Sequence, residues 1–185
     1  MKSNFQDLCA FRLPKGFRGR SAFSVQIWWI VQASVFRWSP QVLYGFRRFV
    51  LRMFGAKIGK RVLIRPSAKF TYPWKVVIGD FSWIGDDVIF YSLDTISVGA
   101  NSVISQKTYL CAGDHDFSDV SFPIRGKPIF IGEQVWVAAD CFVAPGVSVG
   151  NGVVVGARSS VFSNLPDGMV CYGSPCLPRH SRHSM

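Results

Sequence analysis

The fold is decided by residues 131–166, which read IGEQVWVAADCFVAPGVSVGNGVVVGARSSVFSNLP. An aliphatic residue returns there at every sixth position without a slip: Ile131, Val137, Val143, Val149, Val155 and Val161. A six-residue unit is too short to bury a core alone, so such units stack on their neighbours as a solenoid. Glycine often follows the aliphatic residue, which suits a strand that bends sharply at its end. The stretch predicts an all-β solenoid, a parallel β-helix with three units in each triangular coil.

The same period starts weakly at Ile58 and continues, with two-residue insertions, as far as Leu110. Counted in threes, the coils open at residues 58, 78, 98, 131 and 149, so we expect about five coils. At the usual strand spacing the prism is roughly 24 Å long. Residues 116–130 (DFSDVSFPIRGKPIF) fit no repeat and contain two prolines, so they are predicted to leave the prism as one extruded loop. Long loops inside a regular solenoid are usually functional.

The composition favours one domain with an attached basic segment. We predict a basic arm and amphipathic helices over residues 1–57, and a β-helix domain with a C-terminal tail over residues 58–185. Residues 1–65 hold 13 Lys or Arg and one acidic residue, whereas residues 66–185 hold 8 and 10. Because the repeat domain is nearly neutral, a nucleic-acid partner is not expected. Five cysteines without C-x-x-C spacing indicate a reduced, cytoplasmic protein.

The N-terminal segment is predicted to hold a loose arm over residues 1–20 and two helices. Residues 24–38 are apolar and predicted helical; Ser39 and Pro40 then suit the cap and first position of a second, basic helix that ends near Phe54. Neither helix is long enough to span a bilayer, and no signal-peptide cleavage site follows. Two interpretations stay open: a cover packed on the first coils, or an interfacial anchor with its basic residues toward anionic lipid.

His115 is the candidate catalytic residue, because it stands at an outward position at the root of the loop. A neutral imidazole outside the core can accept a proton at physiological pH. Cys111 is the alternative, as a covalent nucleophile, although no second histidine is available as its base. A β-helical zinc carbonic anhydrase is excluded, since its metal site needs three histidines and the prism supplies one. No metal is expected.

Several motifs resemble known acetyltransferases. The run CAGDHD at residues 111–116 is similar to the segment that carries the catalytic histidine in O-acetyltransferases of the galactoside, maltose and nodulation type. Residues 78–94 (IGDFSWIGDDVIFYSLD), 104–110 (ISQKTYL), 136–149 and 171–175 more closely resemble the WcaF-like colanic acid biosynthesis acetyltransferases, a hexapeptide-repeat family. The resemblance implies a left-handed helix, acetyl-CoA as co-substrate and a sugar or glycan precursor as acceptor. It also implies that His115 deprotonates the acceptor hydroxyl directly, with no acyl-enzyme.

The resemblance further suggests which residues bind the substrates. The acceptor would contact four carboxylates, one of which is expected to orient the imidazole: Asp87, Asp94, Asp114 and Asp116. The cofactor arm would lie along small residues, with one aromatic and one cationic neighbour: Gly113, Trp136, Ala138, Ala139, Gly156, Ala157 and Arg158. Backbone N–H groups near Gly113 or Ala139 are the candidate donors to the tetrahedral oxyanion.

Outward positions of the repeats predict an assembly. Two apolar columns run down neighbouring faces: Trp83, Val103, Trp136 and Val154 on one, Ile89, Tyr109, Phe142 and Ser160 on the next. Soluble monomers rarely expose such surfaces, and two different patches suit a head-to-tail ring. We therefore expect a homotrimer, cytoplasmic or peripheral on the cytoplasmic face of the membrane. A non-catalytic scaffold and an acyltransferase with a non-sugar acceptor are the alternatives.

Overall fold

The six-residue period becomes three flat sheets that share one core. The structure, a computed structural model, describes residues 4–183. The first sheet contains β1 (Lys57–Ile58), β4 (Val76–Ile78), β7 (Ile96–Val98), β12 (Ile129–Ile131) and β15 (Ser148–Val149). The second contains β2 (Leu63–Ile64), β5 (Trp83–Ile84), β8 (Val103–Ile104), β13 (Trp136–Val137), β16 (Val154–Val155), β18 (Met169–Tyr172) and β19 (Leu177–Ser181). The third contains β3 (Lys69–Phe70), β6 (Ile89–Tyr91), β9 (Tyr109–Cys111), β14 (Phe142–Val143) and β17 (Ser160–Val161).

The aliphatic or aromatic residue that opens each repeat points into the prism, as predicted. These residues are all buried: Ile58, Ile64, Phe70, Ile78, Ile84, Phe90, Val98, Ile104, Leu110, Ile131, Val137, Val143, Val149, Val155 and Val161. Neighbouring coils pair in parallel without slippage through β18, which pairs with β16. The predicted β-helix is confirmed, with five complete coils and the start of a sixth, where Leu165 bridges to Val149 and Cys171 pairs with Val155.

A helical cap, here residues 22–53, covers the open edge of the first coil. It consists of α1 (Ala22–Val31), a π-helical segment (Gln32–Phe36) and α2 (Tyr44–Met53). The side chains of Trp28, Phe36 and Leu51 are fully buried in the same core as the first coil. A packed cover is therefore the arrangement observed. No helix among residues 4–183 combines the length and the apolar character that crossing a membrane requires.

The cap also supplies hydrogen bonds to the first coil, whose outer carbonyls have no preceding coil to bind. Donor and carbonyl pairs are Trp28 Nε1 to Phe70 (2.6 Å), Arg47 Nε to Ile64 (2.6 Å), Arg48 to Val62 (2.9 Å) and Arg52 Nε to Ile58 (2.9 Å). The arginines of α2 consequently face the β-helix, and Arg47 is completely buried. An anchor whose basic face is formed by these arginines is wrong for this fold.

The start of the second helix also differs from the prediction. α2 begins at Tyr44 rather than at Pro40. Ser39 does not cap it: its hydroxyl donates to the Phe36 carbonyl (2.7 Å) and accepts from Arg47 (2.8 Å). Arg47 also binds the carbonyls of Pro40 and Gln41, so its guanidinium takes the acceptors that an earlier helix start would use.

The N-terminal arm is packed on the body of the protein, so the prediction of a loose arm is wrong over residues 4–20; residues 1–3 of that arm lie outside the described residues. The Asp7 N–H donates to the Val120 carbonyl (2.7 Å). Trp74 Nε1 and Lys75 Nζ donate to the carbonyls of Arg18 and Phe17, each at 2.7 Å. These bonds tie the arm to two parts of the chain that are far apart in sequence.

The predicted extruded loop is a hairpin with shifted limits. β10 (Gly113–His115) pairs in antiparallel fashion with β11 (Ile124–Gly126). The chain has left the prism by Gly113, and it is back in the first sheet at Ile129, which is buried and pairs with Ile96. The hairpin therefore emerges at the corner between the third and first sheets, and His115 lies within its first strand.

Candidate active site

The imidazole of His115 is held in one orientation by Phe122, which lies two residues before the second strand of the hairpin. His115 Nδ1 lies 2.9 Å from the carbonyl oxygen of Phe122, and the two rings stack 4.2 Å apart with an interplanar angle of 9°. A carbonyl can only accept, so Nδ1 carries the proton in the neutral ring. Nε2 is then the unprotonated nitrogen, available to take a proton from a bound hydroxyl.

The group that orients the imidazole is thus a backbone carbonyl, where a carboxylate was expected. Asp114 and Asp116, which flank His115, form ion pairs with Arg125 at 2.9 and 3.1 Å. Lys127 adds a second cation 3.0 Å from Asp114. Arg125 also donates to the His115 carbonyl (3.1 Å), so one guanidinium ties together three consecutive residues of the hairpin.

These contacts set the charge state of the hairpin. Partial burial raises the pKa of Asp114, but hydrogen bonds from Arg125 and Lys127 outweigh it and leave the pKa below its ordinary value. Hydrogen bonds from Ser118 lower the pKa of Asp116. Both carboxylates are ionised at neutral pH, and the paired cations balance them beside His115.

The remaining two predicted acceptor residues lie at different places. Asp94 is close to the hairpin, because a Cβ added to Gly126 would stand 3.0 Å from the Cβ of Asp94; its Oδ1 accepts from the Thr95 N–H at 2.6 Å. Asp87 occupies the turn between β5 and β6, at the corner between the second and third sheets. There it forms an ion pair with Arg37 (3.5 Å). Within one chain, Asp87 and His115 lie at different corners.

Most of the predicted cofactor residues gather at the corner where the second and third sheets meet. A cleft of about 260 Å³ is lined there by Gln106, Lys107, Ala139, Asp140, Ala157 and Arg158. Arg158 forms an ion pair with Asp140 (3.4 Å), and Ala138 beside them is buried. Trp136 is half-exposed on the adjoining face and donates to the Ser105 hydroxyl (3.0 Å).

Two glycines assigned to cofactor binding have close neighbours within the chain itself. A Cβ at Gly113 would lie 2.6 Å from Leu93, and one at Gly156 would lie 2.8 Å from the Cβ of Tyr172. Gly113 is therefore required where the hairpin leaves the prism against Leu93. Gly156 has no Cβ, so Tyr172 of the next coil can pack closely against it.

Cys111 is poorly suited to be a nucleophile. Its Sγ donates to the Gly113 carbonyl (3.2 Å), and burial raises the pKa of the thiol. A thiol with a raised pKa is mostly protonated at neutral pH and reacts slowly. Among residues 4–183, no three His, Cys, Asp or Glu side chains are arranged to hold a metal ion.

Sequence reasoning missed three residues near His115. Arg125 is on the second strand of the hairpin, Phe122 lies two residues before that strand, and the ring of Phe11 in the N-terminal arm lies 6.2 Å from the imidazole. The sequence could have pointed to Arg125, which is one of two cations that follow three acidic residues, Asp114, Asp116 and Asp119, in the same segment. It could not have pointed to Phe11, because nothing in an aperiodic arm indicates where its residues pack.

A hexapeptide-repeat β-helix with a histidine on an extruded hairpin and a cleft at another corner has the architecture of the hexapeptide-repeat acyltransferases. The sequence pattern described as "Bacterial transferase hexapeptide (six repeats)" matches residues 128–163. The chain is 61% identical over 172 residues to the protein named "Putative colanic acid biosynthesis acetyltransferase WcaF" of Escherichia coli (strain K12), covering 93% of this chain and 94% of that one. The chain belongs to this WcaF family of hexapeptide-repeat acetyltransferases, so the predicted class of enzyme is confirmed.

More distant relatives share the fold. Galactoside O-acetyltransferase of Escherichia coli (strain K12) is 26% identical over 136 residues, which are 70% of this chain and 66% of that protein. A hexapeptide-repeat acetyltransferase of Vibrio cholerae O1 biovar eltor, solved in complex with acetyl coenzyme A, superposes with a TM-score of 0.80. It is 21% identical, and the match covers 88% of this chain and 91% of that one.

Proposed function

We propose that this protein transfers the acetyl group of acetyl-CoA to a sugar hydroxyl during the synthesis of a surface polysaccharide, with His115 as general base. The hydrogen bond from His115 Nδ1 to the Phe122 carbonyl is the observation that supports this role, because it leaves Nε2 free to accept a proton. The relatives named for galactoside acetylation and colanic acid biosynthesis support a carbohydrate acceptor. The Vibrio cholerae protein, with acetyl coenzyme A bound, supports the donor.

The proposed reaction is a direct transfer. His115 Nε2 takes the hydroxyl proton as the acceptor oxygen attacks the thioester carbonyl, which gives a tetrahedral oxyanion. Backbone N–H groups near Gly113 or Ala139 would stabilise that charge. As the carbon–sulfur bond breaks, the imidazolium returns the proton to the departing thiolate. The products are the acetylated sugar and CoA, and the enzyme is unchanged.

A complete site would need two chains. His115 emerges at the corner between the third and first sheets, whereas the cleft at Ala139, Ala157 and Arg158 lies at the corner between the second and third. A head-to-tail ring would bring the hairpin of one protomer to the cleft of the next. The apolar columns support such a ring, because Trp83, Val103, Trp136 and Val154 are neighbours in register. We therefore propose a homotrimer with three shared sites.

In this ring the assigned acceptor residues would have different roles. Asp94, Asp114 and Asp116 lie on or beside the hairpin and would shape the acceptor side of the site. Asp87 lies on the corner that carries the cleft, so it would reach the acceptor of the neighbouring protomer. We also propose a cytoplasmic location, where acetyl-CoA is made, with peripheral contact to the membrane.

The test is CoA thiol release from acetyl-CoA with a panel of free sugars, nucleotide sugars and lipid-linked glycan precursors. His115→Ala should lower kcat by about 10²–10⁴-fold, as expected for loss of a general base. His180→Ala is the matched control, because His180 is exposed on β19 and should leave kcat unchanged. Equal activity of the two variants would place the base elsewhere, and no thiol release with any acceptor would favour a non-catalytic scaffold.

A further inference from the structure

The outer surface of the helical cap is apolar, although it faces away from the protein. Its exposed large apolar side chains, here called the cap surface, are Phe23, Ile27, Trp29, Ile30, Val35, Trp38, Val42, Leu43, Phe46, Phe49 and Met53. Trp38 and Val42 are 82% and 78% exposed, and Phe49 and Met53 are 59% and 67% exposed. Isolated exposed apolar residues are ordinary, but this many on one capping segment mark an interaction site.

The spacing of these residues shows that each helix presents one apolar face outward. Phe23, Ile27 and Ile30 follow i, i+4, i+7 spacing on α1, and Phe46, Phe49 and Met53 follow i, i+3, i+7 spacing on α2. In an ordinary surface helix the apolar face packs inward and the charged face meets water. α2 differs in that Arg47 lies on its inward face beside Val50 and Leu51, and its arginines donate hydrogen bonds to the first coil.

Exposed cations lie on the first coil, directly beneath the cap. Lys57, Lys60, Arg61 and Lys69 are all exposed on the first coil. None of these four forms an ion pair with any of residues 4–183. An apolar, tryptophan-containing surface with exposed cations beneath it has the two properties that attract a protein to anionic lipid.

We propose that the cap surface docks on an anionic lipid bilayer, with Trp38, Phe46, Phe49 and Met53 at the level of the acyl-chain boundary. The exposed cations of the first coil favour a bilayer over a second copy of the chain. Two caps packed face to face would bring like charges together, whereas anionic headgroups neutralise these cations. Trp38 and Trp29 suit this boundary, where amphipathic indole rings concentrate. The membrane-facing charge comes from the first coil, because the arginines of α2 are engaged with carbonyls of that coil.

Docking in this orientation constrains the acceptor. β9, from which the hairpin of His115 continues, belongs to the third coil, two coil spacings or about 10 Å from the first. His115 would therefore face a saccharide carried on a membrane lipid, beyond the headgroups, while acetyl-CoA enters from the water. This assignment of a lipid-linked acceptor rests on the proposed function. The docking itself does not, so binding and turnover are measured separately.

The experiment is sedimentation of the full-length protein with vesicles of phosphatidylcholine, with or without phosphatidylglycerol. We expect binding to the anionic vesicles, weakening as salt is added. Phe49→Ser and Trp38→Ser should each weaken binding about tenfold or more, from the apolar area they withdraw. Lys57→Gln and Lys60→Gln should each weaken it about fivefold and flatten the salt dependence.

Leu177→Ser is the matched control, since this exposed apolar residue lies on β19, at the opposite end of the β-helix. It should bind as the wild type does, and all variants should release CoA thiol at the wild-type rate with a soluble acceptor. Failure to bind anionic vesicles, or equal binding by Phe49→Ser and Leu177→Ser, overturns the proposal. If light scattering gives the wild-type protein twice the mass of the Phe49→Ser variant, the cap surface instead joins two copies of the assembly.

Binding without turnover would retain the docking surface and contradict the proposed function. Turnover without vesicle binding would support the proposed function and overturn the docking surface. If docking holds but a lipid-linked saccharide is acetylated no faster than a soluble one on vesicles, the lipid-linked acceptor is wrong.

Discussion

Replacing the buried arginine of the cap tests whether the first coil depends on donors from α2. Arg47 is completely buried and donates to the Ile64 carbonyl at 2.6 Å and to the Ser39 hydroxyl at 2.8 Å. Arg47→Met keeps most of the side-chain volume but removes every donor. The Ile64 carbonyl then lacks a partner in the interior, at about 1–3 kcal/mol. The Ser39 hydroxyl keeps its bond to the Phe36 carbonyl and loses one bond of about 1 kcal/mol, so the free energy of unfolding should fall by about 2–4 kcal/mol.

The bonds from Arg47 to the carbonyls of Pro40 and Gln41 add less, because those acceptors are only partly buried and water can replace the guanidinium. For a chain of this length about 2–4 °C is lost per kcal/mol, so the melting temperature should drop by roughly 4–16 °C. Circular dichroism at one fixed protein concentration measures this drop without a contribution from changing assembly.

Arg48→Met is the matched control. Arg48 makes one bond of 2.9 Å, to the Val62 carbonyl, from a partly buried position, so its loss should lower the free energy of unfolding by only about 1 kcal/mol. Arg47→Lys should fall between the two, since one ammonium cannot reach all the acceptors that the guanidinium spans. If Arg47→Met melts with the wild type, or with Arg48→Met, the donor argument is refuted.

Three further outcomes follow from the site. Arg125→Gln should lower kcat about tenfold or more with little change in the KM for acetyl-CoA, because the guanidinium holds the hairpin rather than the cofactor, and Arg125→Lys should restore part of the rate; an unchanged kcat would contradict this. Cys111→Ala should keep its activity, and at mildly alkaline pH iodoacetamide should label Cys111 more slowly than the exposed Cys9, because burial raises the pKa of the Cys111 thiol; rapid labelling of Cys111 with loss of activity would revive the covalent mechanism. Trp136→Asp should dissociate the ring and abolish thiol release together, and a monomer mass in light scattering for the active wild type would disprove the shared site.

The β-helix could be predicted from sequence because each coil repeats one local rule. An aliphatic residue at each sixth position must be buried, and only stacking of the units buries it, so Val137, Val143 and Val155 already define the core. The outward position of His115 could also be predicted, since a break in the six-residue period beside it can be recognised in the sequence. The rule says nothing about segments that lack the period, which is why the limits of the hairpin shifted.

The partner of the imidazole could not be predicted for a different reason. Carboxylates can be recognised in a sequence, so Asp114 and Asp116 were candidates for the group that orients the imidazole. The group that does orient His115 is the backbone carbonyl of Phe122, which any residue would supply. What is specific there is the backbone conformation, because Phe122 has φ +49° and its ring stacks on the imidazole. A phenylalanine in the sequence gives no indication that its backbone will adopt a positive φ.

The position of the α2 arginines is explained by the geometry of the β-helix end. Bonds between successive coils run both ways: the Gly59 N–H of the first coil donates to the Ile78 carbonyl of the second, and the Phe81 N–H of the second donates to the Lys60 carbonyl of the first. The outer edge of the first coil presents the Phe70 N–H, which donates to Gln32 Oε1, and also the carbonyls of Ile58, Val62, Ile64 and Phe70. Most of the bonds between the cap and that edge are therefore donated by the cap. Arginine offers five donors and no acceptor, which makes it a better cover than any apolar side chain at such an edge. On α2 the inward face holds Arg47 with Val50 and Leu51, so the further apolar residues Phe46, Phe49 and Met53 lie on the outward face. Contact with anionic lipid gives that outward face a partner.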